Sequence, residues 1–280
     1  MMHAIARETL ADAFGLGSNE VVALVGAGGK TSALCSLGAE LTAGGDRVIT
    51  TTTTAMLLRE LAVAGRVLMC ADGSGSPPGL KRVLLDRRQV AVAHSYGEGG
   101  KVVGLSPATV DRLWAQRSAD YLIVEADGSR GLPFKAFGPH EPQVPAVATT
   151  IVDVAGLDVL GAPLTEERVH RAALLASILE IPLGSEVTTR VVAAGLRAQV
   201  IRLRRAHAGC RLVVLLNKAD TPDSQAAGLD IARDLLARRG DVAGPRREDD
   251  PVAVIPEGRP DSVVVGSLRE RRYAVVAEET

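Results

Sequence analysis

The sequence predicts an α/β fold, a mainly parallel sheet covered by helices on both faces, and three observations predict it. Short unbroken apolar runs recur, at Val21–Val25, Tyr121–Val124 and Leu212–Leu216, as strands buried on both faces require. Segments of helical pattern separate these runs, which is the βαβ alternation of a parallel sheet. Glycine-rich turns join strand to helix, most clearly Gly26-Ala27-Gly28-Gly29. With 280 residues, 46% of them hydrophobic, the chain can bury a sizeable core. It reads as one domain over 1–280, with a sub-boundary near 146–150 and C-terminal strands within 252–277.

Taken in order, residues 4–14 read as an amphipathic helix stopped by Gly15 and Gly17. Val21–Val25 is a strand, followed after the glycine turn by an Ala/Leu-rich helix from Lys30 to Ala43 that Gly44 and Gly45 end. Arg47–Thr52 is the next strand, Thr54–Ala64 a helix, Arg66–Cys70 a strand and 72–79 a Gly/Ser/Pro loop. Gln89–Ser95 and Lys101–Leu105, separated by Tyr96-Gly97-Glu98-Gly99-Gly100, read as an inserted β-hairpin. Ser106 caps a helix over Pro107–Ser118, with proline in its first turn. Tyr121–Ala126 is a buried strand, and 127–145 is irregular and long enough to carry function. Thr149–Val154 and Arg211–Leu216 are strands, while Glu166–Leu179, Glu186–Ala206 and Asp223–Arg239 are helical. Val252–Ile255 and one or two segments of Val263–Ala277 complete the strands.

Composition narrows the partners. A net charge of -1 without basic runs, and only seven aromatic residues, argue against nucleic acid. No apolar stretch approaches the ~18 residues of a membrane span, and no leader pattern opens the chain, so a cytoplasmic protein is expected. Cys35, Cys70 and Cys210 are too scattered for a disulfide framework and read as small buried hydrophobes. Of 32 basic residues, five are lysine: Lys30, Lys81, Lys101, Lys135 and Lys218. Where arginine serves for general charge, lysines mark places that need a compact ammonium.

Three of those lysines lie in the segments that carry chemistry. Strand–Gly26-Ala27-Gly28-Gly29-Lys30-Thr31-Ser32–helix is the pattern of a phosphate loop. Glycines let amides approach phosphate oxygens, the helix N-terminus adds partial positive charge, Lys30 reaches the terminal phosphates and Thr31 offers a hydroxyl to Mg²⁺. The full pattern wants glycine at position 24, where Leu24 stands, so the loop is a shortened one, close to that of Mur-type amide ligases. These features predict a three-layer P-loop NTPase.

The strand 121–126 delivers Glu125 and Asp127 to the end of the sheet where ligands bind. Asp127 is the expected metal acid and Glu125 the expected orienter of water, although either could exchange roles. The run Thr50 to Thr54 ends the second strand and is expected to face the phosphates, with Thr52 at the metal. Beyond Leu216, Asn217-Lys218-Ala219-Asp220 has the form of a guanine reader, in which Asp220 accepts from N1–H and the 2-amine while the Lys218 stem packs on the base. In the segment 128–142, Arg130 and Lys135 are candidates to neutralise phosphate, and His140 and Glu141 to move a proton or bind metal.

Gly26–Thr31, the threonine run, Glu125–Ala136, His140-Glu141-Pro142, Gly156–Gly161, His170-Arg171 and Asn217–Asp220 together closely resemble the YqeC family. Where that pattern has proline after His-Arg, this chain has Ala172. The resemblance implies a P-loop NTPase that serves maturation of a selenium-dependent molybdenum hydroxylase, with that enzyme or its maturation machinery as protein partner. The expected function is thus Mg²⁺-dependent nucleotide binding and hydrolysis, GTP favoured over ATP. Two rivals stand beside it: an ATP-dependent small-molecule ligase or kinase, suggested by the short loop, and a non-catalytic nucleotide-gated scaffold.

Overall fold

A computed structural model of the chain describes residues 2–237 and 258–278. Its elements run β1 (Met2–Arg7), α1 (Leu10–Phe14), β2 (Glu20–Gly26), α2 (Lys30–Ala43), β3 (Val48–Thr52), β4 (Met56–Leu57), α3 (Leu58–Val63), β5 (Arg66–Met69), α4 (Leu80–Arg87) and β6 (Gln89–Ala93). There follow β7 (Ser95–Tyr96), β8 (Lys101–Val103), α5 (Pro107–Ala115), β9 (Tyr121–Glu125), β10 (Phe134–Lys135), β11 (Thr150–Gly156) and a 3₁₀ turn (Leu157–Val159). The chain continues through β12 (Val169–His170), α6 (Ala172–Leu179), α7 (Thr189–Ala206), β13 (Arg211–Asn217), α8 (Pro222–Leu236), β14 (Ser262–Ser267) and β15 (Arg272–Glu278).

The main sheet has ten strands in the order β1-β15-β14-β13-β11-β2-β9-β3-β6-β5, and the run from β14 to β5 is wholly parallel. The fold is therefore α/β with a mainly parallel sheet, as expected. Alternate residues of each strand feed two separate cores. Val22 and Leu24 pack with Leu10 and Phe14 of α1 and Ala33, Leu34, Leu37 and Leu41 of α2. Val21, Ala23 and Val25 point the other way, into the layer holding Leu113 of α5, Leu196 of α7 and Leu235 of α8. Burial on both faces is why β2 carries no polar residue between Val21 and Val25.

Four local expectations are corrected. The helix expected over 4–14 is a strand followed by a short helix: β1 pairs antiparallel with β15, and Thr9 caps α1 by accepting the Asp12 N–H at 3.0 Å. The partner strand lies some 270 positions away, beyond any local pattern. The hairpin is smaller than expected, because Gln89–Ala93 enters the main sheet parallel to β3, and only Ser95–Tyr96 folds back on β8. Met56–Leu57, expected in a helix over Thr54–Ala64, pairs with β8 instead. The helix expected from Glu166 begins at Ala172, since 169–170 pair with β10 and Arg171 has φ 63. Helix α4 was not anticipated, and the strand expected at Val252–Ile255 lies outside the described residues. Among the described residues no helix is long and apolar enough to cross a membrane.

Candidate functional site

The strand order decides what meets at the sheet's carboxyl edge. Central β2 ends at Gly26, with β9 beside it on one flank and β11, β13 and β14 on the other. The register sets Leu24 opposite Glu125, Gly26 opposite Val154, and Gly156 opposite Asn217. A ligand crevice at a point where the chain leaves the central strand for both flanks is the usual binding place of an open α/β sheet.

The turn after β2 needs its glycines. Gly26, Gly28 and Gly29 have φ of 87, 83 and 139°, all in the region closed to side chains. A Cβ on Gly28 would stand 2.3 Å from the Gly156 nitrogen and 2.6 Å from the Pro133 carbonyl oxygen, both backbone atoms. Gly28→Ala is accordingly expected to destabilise the fold by about 2 kcal/mol or more, read as the midpoint of urea unfolding. An unchanged midpoint would show that the loop can shift away from β11.

Hydrogen bonds within the protein already occupy part of the glycine turn. The Gly26 N–H donates to Asp127 Oδ2 at 3.0 Å, Ala27 N–H to the Val154 carbonyl at 2.7 Å, and Gly28 N–H to the Leu132 carbonyl at 3.1 Å. These three donors serve the loop itself, contrary to the expectation that the whole turn would face a ligand. Helix α2 starts at Lys30 with no side chain capping it, and its first carbonyl acceptor is that of Gly29, bonded by Ala33 N–H at 2.8 Å. The amides of Gly29, Lys30, Thr31 and Ser32 are thus the donors left for an anion.

Lys30 is nearly fully buried and folds back over the loop, donating to the Gly26 carbonyl at 2.6 Å. Its ammonium also lies 3.1 Å from Asp127 Oδ1, off that oxygen's hydrogen-bonding direction, so the contact is an ion pair without a formal hydrogen bond. The acid that meets the Thr31 hydroxyl is Glu125, at 2.8 Å. Burial pushes the Glu125 carboxyl up, and Lys30 and Thr31 only partly offset it. Asp127, expected at the metal, is instead fully buried between Gly26, Lys30 and Lys135. The hydroxyl of Thr52, also expected at the metal, accepts the Thr54 N–H and lies 3.1 Å from the Glu125 carbonyl oxygen. Thr51 bonds the Val92 carbonyl and Thr53 that of Gln143, so most of the threonine run stitches strands and loops together.

Lys135 is wholly buried, and each of its three N–H donors has an acceptor: Asp127 Oδ2 at 2.9 Å, Gly128 O at 2.6 Å and Glu141 Oε2 at 2.7 Å. Arg171 grips Glu141 with both terminal nitrogens, at 2.5 and 2.9 Å. A continuous chain of charges therefore runs Arg171–Glu141–Lys135–Asp127 to the Gly26 amide. Burial alone would raise the Glu141 carboxyl, but hydrogen bonds from Arg171 and Lys135 outweigh it and hold it at about 2, below its ordinary 4.5. The stabilisation is complete above pH 4.5 and is lost as pH falls towards 2, on the order of 2 kcal/mol after solvent screening. Glu141→Gln should flatten that acid limb of the stability profile, and an unaltered limb would assign it to other carboxylates.

Asp153 of β11 is the member no sequence argument found. It is completely buried, neither carboxylate oxygen has a partner, and a Cβ on Gly26 would stand 2.4 Å from its Oδ1. An acid inside a Val-rich strand is the signal that was available. Burial, and then the charge of Asp127, push its carboxyl well above the ordinary 3.8. Below pH 3.8 folded and unfolded chains both hold the proton; above it the unfolded chain releases it, so this group favours unfolding as pH rises. Asp153→Asn is expected to be more stable than wild type at pH 8 and equal to it near pH 4, by thermal unfolding.

Of the other expected residues, Arg130 and His140 are exposed, Arg130 with φ 54, and among the described residues no hydrogen bond or ion pair joins either to Lys30 or Glu125. The loop that carries Arg130 lies over the glycine turn, however, since Leu132 and Pro133 carbonyls accept from Gly28 and Gly156. His170 is buried opposite Lys135, where burial lowers its pKa.

On the far flank, Asn217 joins three elements: its Nδ2 donates to the Gly28 carbonyl at 2.8 Å and its Oδ1 accepts the Leu268 N–H at 3.1 Å. The Ala219 N–H donates to the Gly266 carbonyl at 3.0 Å. Asp220 Oδ1 is buried without a donor, while Oδ2 lies 3.8 Å from Arg269. The turn 266–269 is a part of the site that the sequence did not reveal, because only β13–β14 pairing brings it beside Asn217.

Fold and site define a three-layer α/β protein with a glycine-rich loop between its central strand and the helix that follows. The chain belongs to the YqeC family: the family model described as YqeC protein matches residues 22–173. YqeC of Escherichia coli (strain K12) is 35% identical over 199 residues, 71% of this chain and 75% of the relative. The crystal structure of an apo-form GTPase from Pyrococcus abyssi is similar with a TM-score of 0.40 at 12% identity, over 90% of this chain and 92% of that one. So distant a likeness assigns neither nucleotide nor activity.

Proposed function

We propose that this protein binds a guanine nucleotide with Mg²⁺ and hydrolyses it. The observation that carries the reading is Asp220 Oδ1, a buried acceptor without a donor. It follows an asparagine bonded to the phosphate loop itself. Guanine offers paired donors at N1 and the 2-amine, and adenine does not, so an acid left unpaired by the wrong base discriminates strongly.

The phosphate groups lie against the amides of Gly29, Lys30, Thr31 and Ser32. Lys30 leaves Gly26 and Asp127 to pair with them, and Asp127, still held by Gly26 N–H and Lys135, keeps the loop closed. Among the described residues no three acids, histidines or cysteines form a metal cage. That suits Mg²⁺, which takes few protein ligands beside water and phosphate oxygens. Thr31 and Glu125, already in contact, are the residues that would hold it, in place of Asp127 and Thr52. The ion would neutralise charge on the phosphates during hydrolysis. Arg130, on the loop over the glycine turn, supplies a guanidinium to the same charge, and His140 stays exposed.

We further infer that this nucleotide cycle serves maturation of a selenium-dependent molybdenum hydroxylase, a role that rests on family resemblance alone. Equilibrium titration of Mg·GTP and Mg·ATP against wild type, Lys30→Ala and Asp220→Ala tests the nucleotide reading. GTP should bind wild type at least about tenfold more tightly than ATP, and Asp220→Ala should abolish the difference. Preference for ATP, untouched by Asp220→Ala, would favour the ligase or kinase; tight binding without turnover would favour the scaffold.

A further inference from the structure

The segment Gly156-Leu157-Asp158-Val159-Leu160-Gly161 is distinctive in the sequence, yet the nucleotide reading gives it no task. In the fold it begins where β11 ends, at Gly156 opposite Asn217, and forms a single 3₁₀ turn. Leu157 and Val159 are 3% and 0% exposed, so the turn is anchored by its apolar residues and presents Asp158 outward. The Asp158 carboxylate takes the Lys218 ammonium at 2.7 Å, and its backbone carbonyl takes Arg168 at 3.0 Å. Its other oxygen lies close over Gly156, where a Cβ would come within 2.6 Å.

Stability does not account for this pair. Lys218 and Asp158 side chains are 37% and 47% exposed, and ion pairs so open to water contribute little. Lys218 also has φ 66, a left-handed backbone that costs a non-glycine residue about 1 kcal/mol. What the pair does have is position. Asn217 is turned towards Gly28 and Leu268, and Asp220 towards Arg269. Lys218, between them in sequence, is drawn to the opposite side by Asp158.

We propose that Asp158 is a positioning residue for base recognition: by holding the Lys218 ammonium it lays the lysine stem as one wall of the base pocket, facing the wall formed by Asp220 and the turn 266–269. The proposal rests on the guanine-nucleotide reading and adds to it a residue from another strand. Asp158 touches neither base nor phosphate; it acts through Lys218.

The test uses full-length protein, with Asp158→Ala, Asp158→Glu, Lys218→Ala and the Asp158→Ala/Lys218→Ala pair. Each is titrated with Mg·GTP, Mg·ITP, which lacks the 2-amine, and inorganic triphosphate, which lacks the base. Asp158→Ala should weaken Mg·GTP about three- to tenfold, and Lys218→Ala should add no further loss to it. Asp158→Glu should restore part of the affinity, while inorganic triphosphate and the unfolding midpoint stay at wild-type values. Equal weakening of inorganic triphosphate would reveal a general structural role and overturn the proposal. So would Asp158→Ala with wild-type affinity for Mg·GTP, or fully additive losses in the pair. If wild type binds triphosphate but shows no preference for a guanine base, the underlying reading fails first, and the two failures are told apart by that arm.

Discussion

Lys135→Met is expected to lower the unfolding free energy by about 3–5 kcal/mol, the usual cost of removing one partner from a buried charge network. The ammonium is wholly buried and neutralises two carboxylates, Asp127 and Glu141, at 2.9 and 2.7 Å. Methionine fills the stem's volume but leaves three acceptors without their donor: two charged oxygens and the Gly128 carbonyl. Arg171 still serves Glu141, but Asp127 then retains only the Gly26 amide and Lys30. Urea unfolding measures the loss, and a second variant identifies its cause: Lys135→Met/Glu141→Gln should recover part of it, because one stranded charge is gone. A loss below about 1 kcal/mol would mean that water reaches this cluster and the charges are screened. The functional corollary follows the same chain. With Lys135 gone, Asp127 is held less firmly against the Gly26 amide, and nucleotide affinity should fall even though Lys135 touches no ligand.

Asp220→Asn is expected to shift base preference from guanine to xanthine nucleotides by two orders of magnitude or more. Asp220 carries one oxygen that is buried and has no donor, which guanine's N1–H and 2-amine would satisfy. An asparagine there presents one acceptor and one donor. Xanthine answers with N1–H and a 2-carbonyl, whereas guanine would set its amine against the amide's N–H₂. Competition of Mg·GTP and Mg·XTP for wild type and variant reads the switch directly. If both proteins favour the same base to the same degree, Asp220 does not face the base, and the specificity must be sought in the turn 266–269. Arg269, 3.8 Å from Asp220 and largely exposed, is then the first residue to examine.

Much of the fold was legible because its signals are local. The continuous apolar runs of β2, β9 and β13 become strands buried on both faces, and Ser106 caps α5 as its sequence suggests, accepting the Thr109 N–H at 3.2 Å. The glycine turn was legible for the same reason, since positive φ at Gly26, Gly28 and Gly29 is a property of the residues themselves. What was misjudged depended on partners elsewhere. A short amphipathic segment such as Met2–Arg7 suits helix or strand equally, and β15 decides between them. Asp127 was expected at the metal and Glu125 to orient water, and two positions of sequence do not reveal how different their surroundings are. Both side chains reach the same sheet edge, but Asp127 lies beyond the strand end, where Gly26, Lys30 and Lys135 close around it.

The amino-acid sequence by itself determined the class of architecture, the loop between β2 and α2, and the residues available to it, because periodicity and turn chemistry act over a few residues. Tertiary structure alone decided which donors remain for an anion, that a buried lysine ties Asp127 to Glu141 and Arg171, and that Asp153 sits unpartnered beneath Gly26. It also decided that Asp158 reaches Lys218 and that the turn 266–269 reaches Asn217. The reason is common to all of them. Electrostatic and hydrogen-bonding partners are fixed by strand order and register, and these emerge only when the sheet assembles.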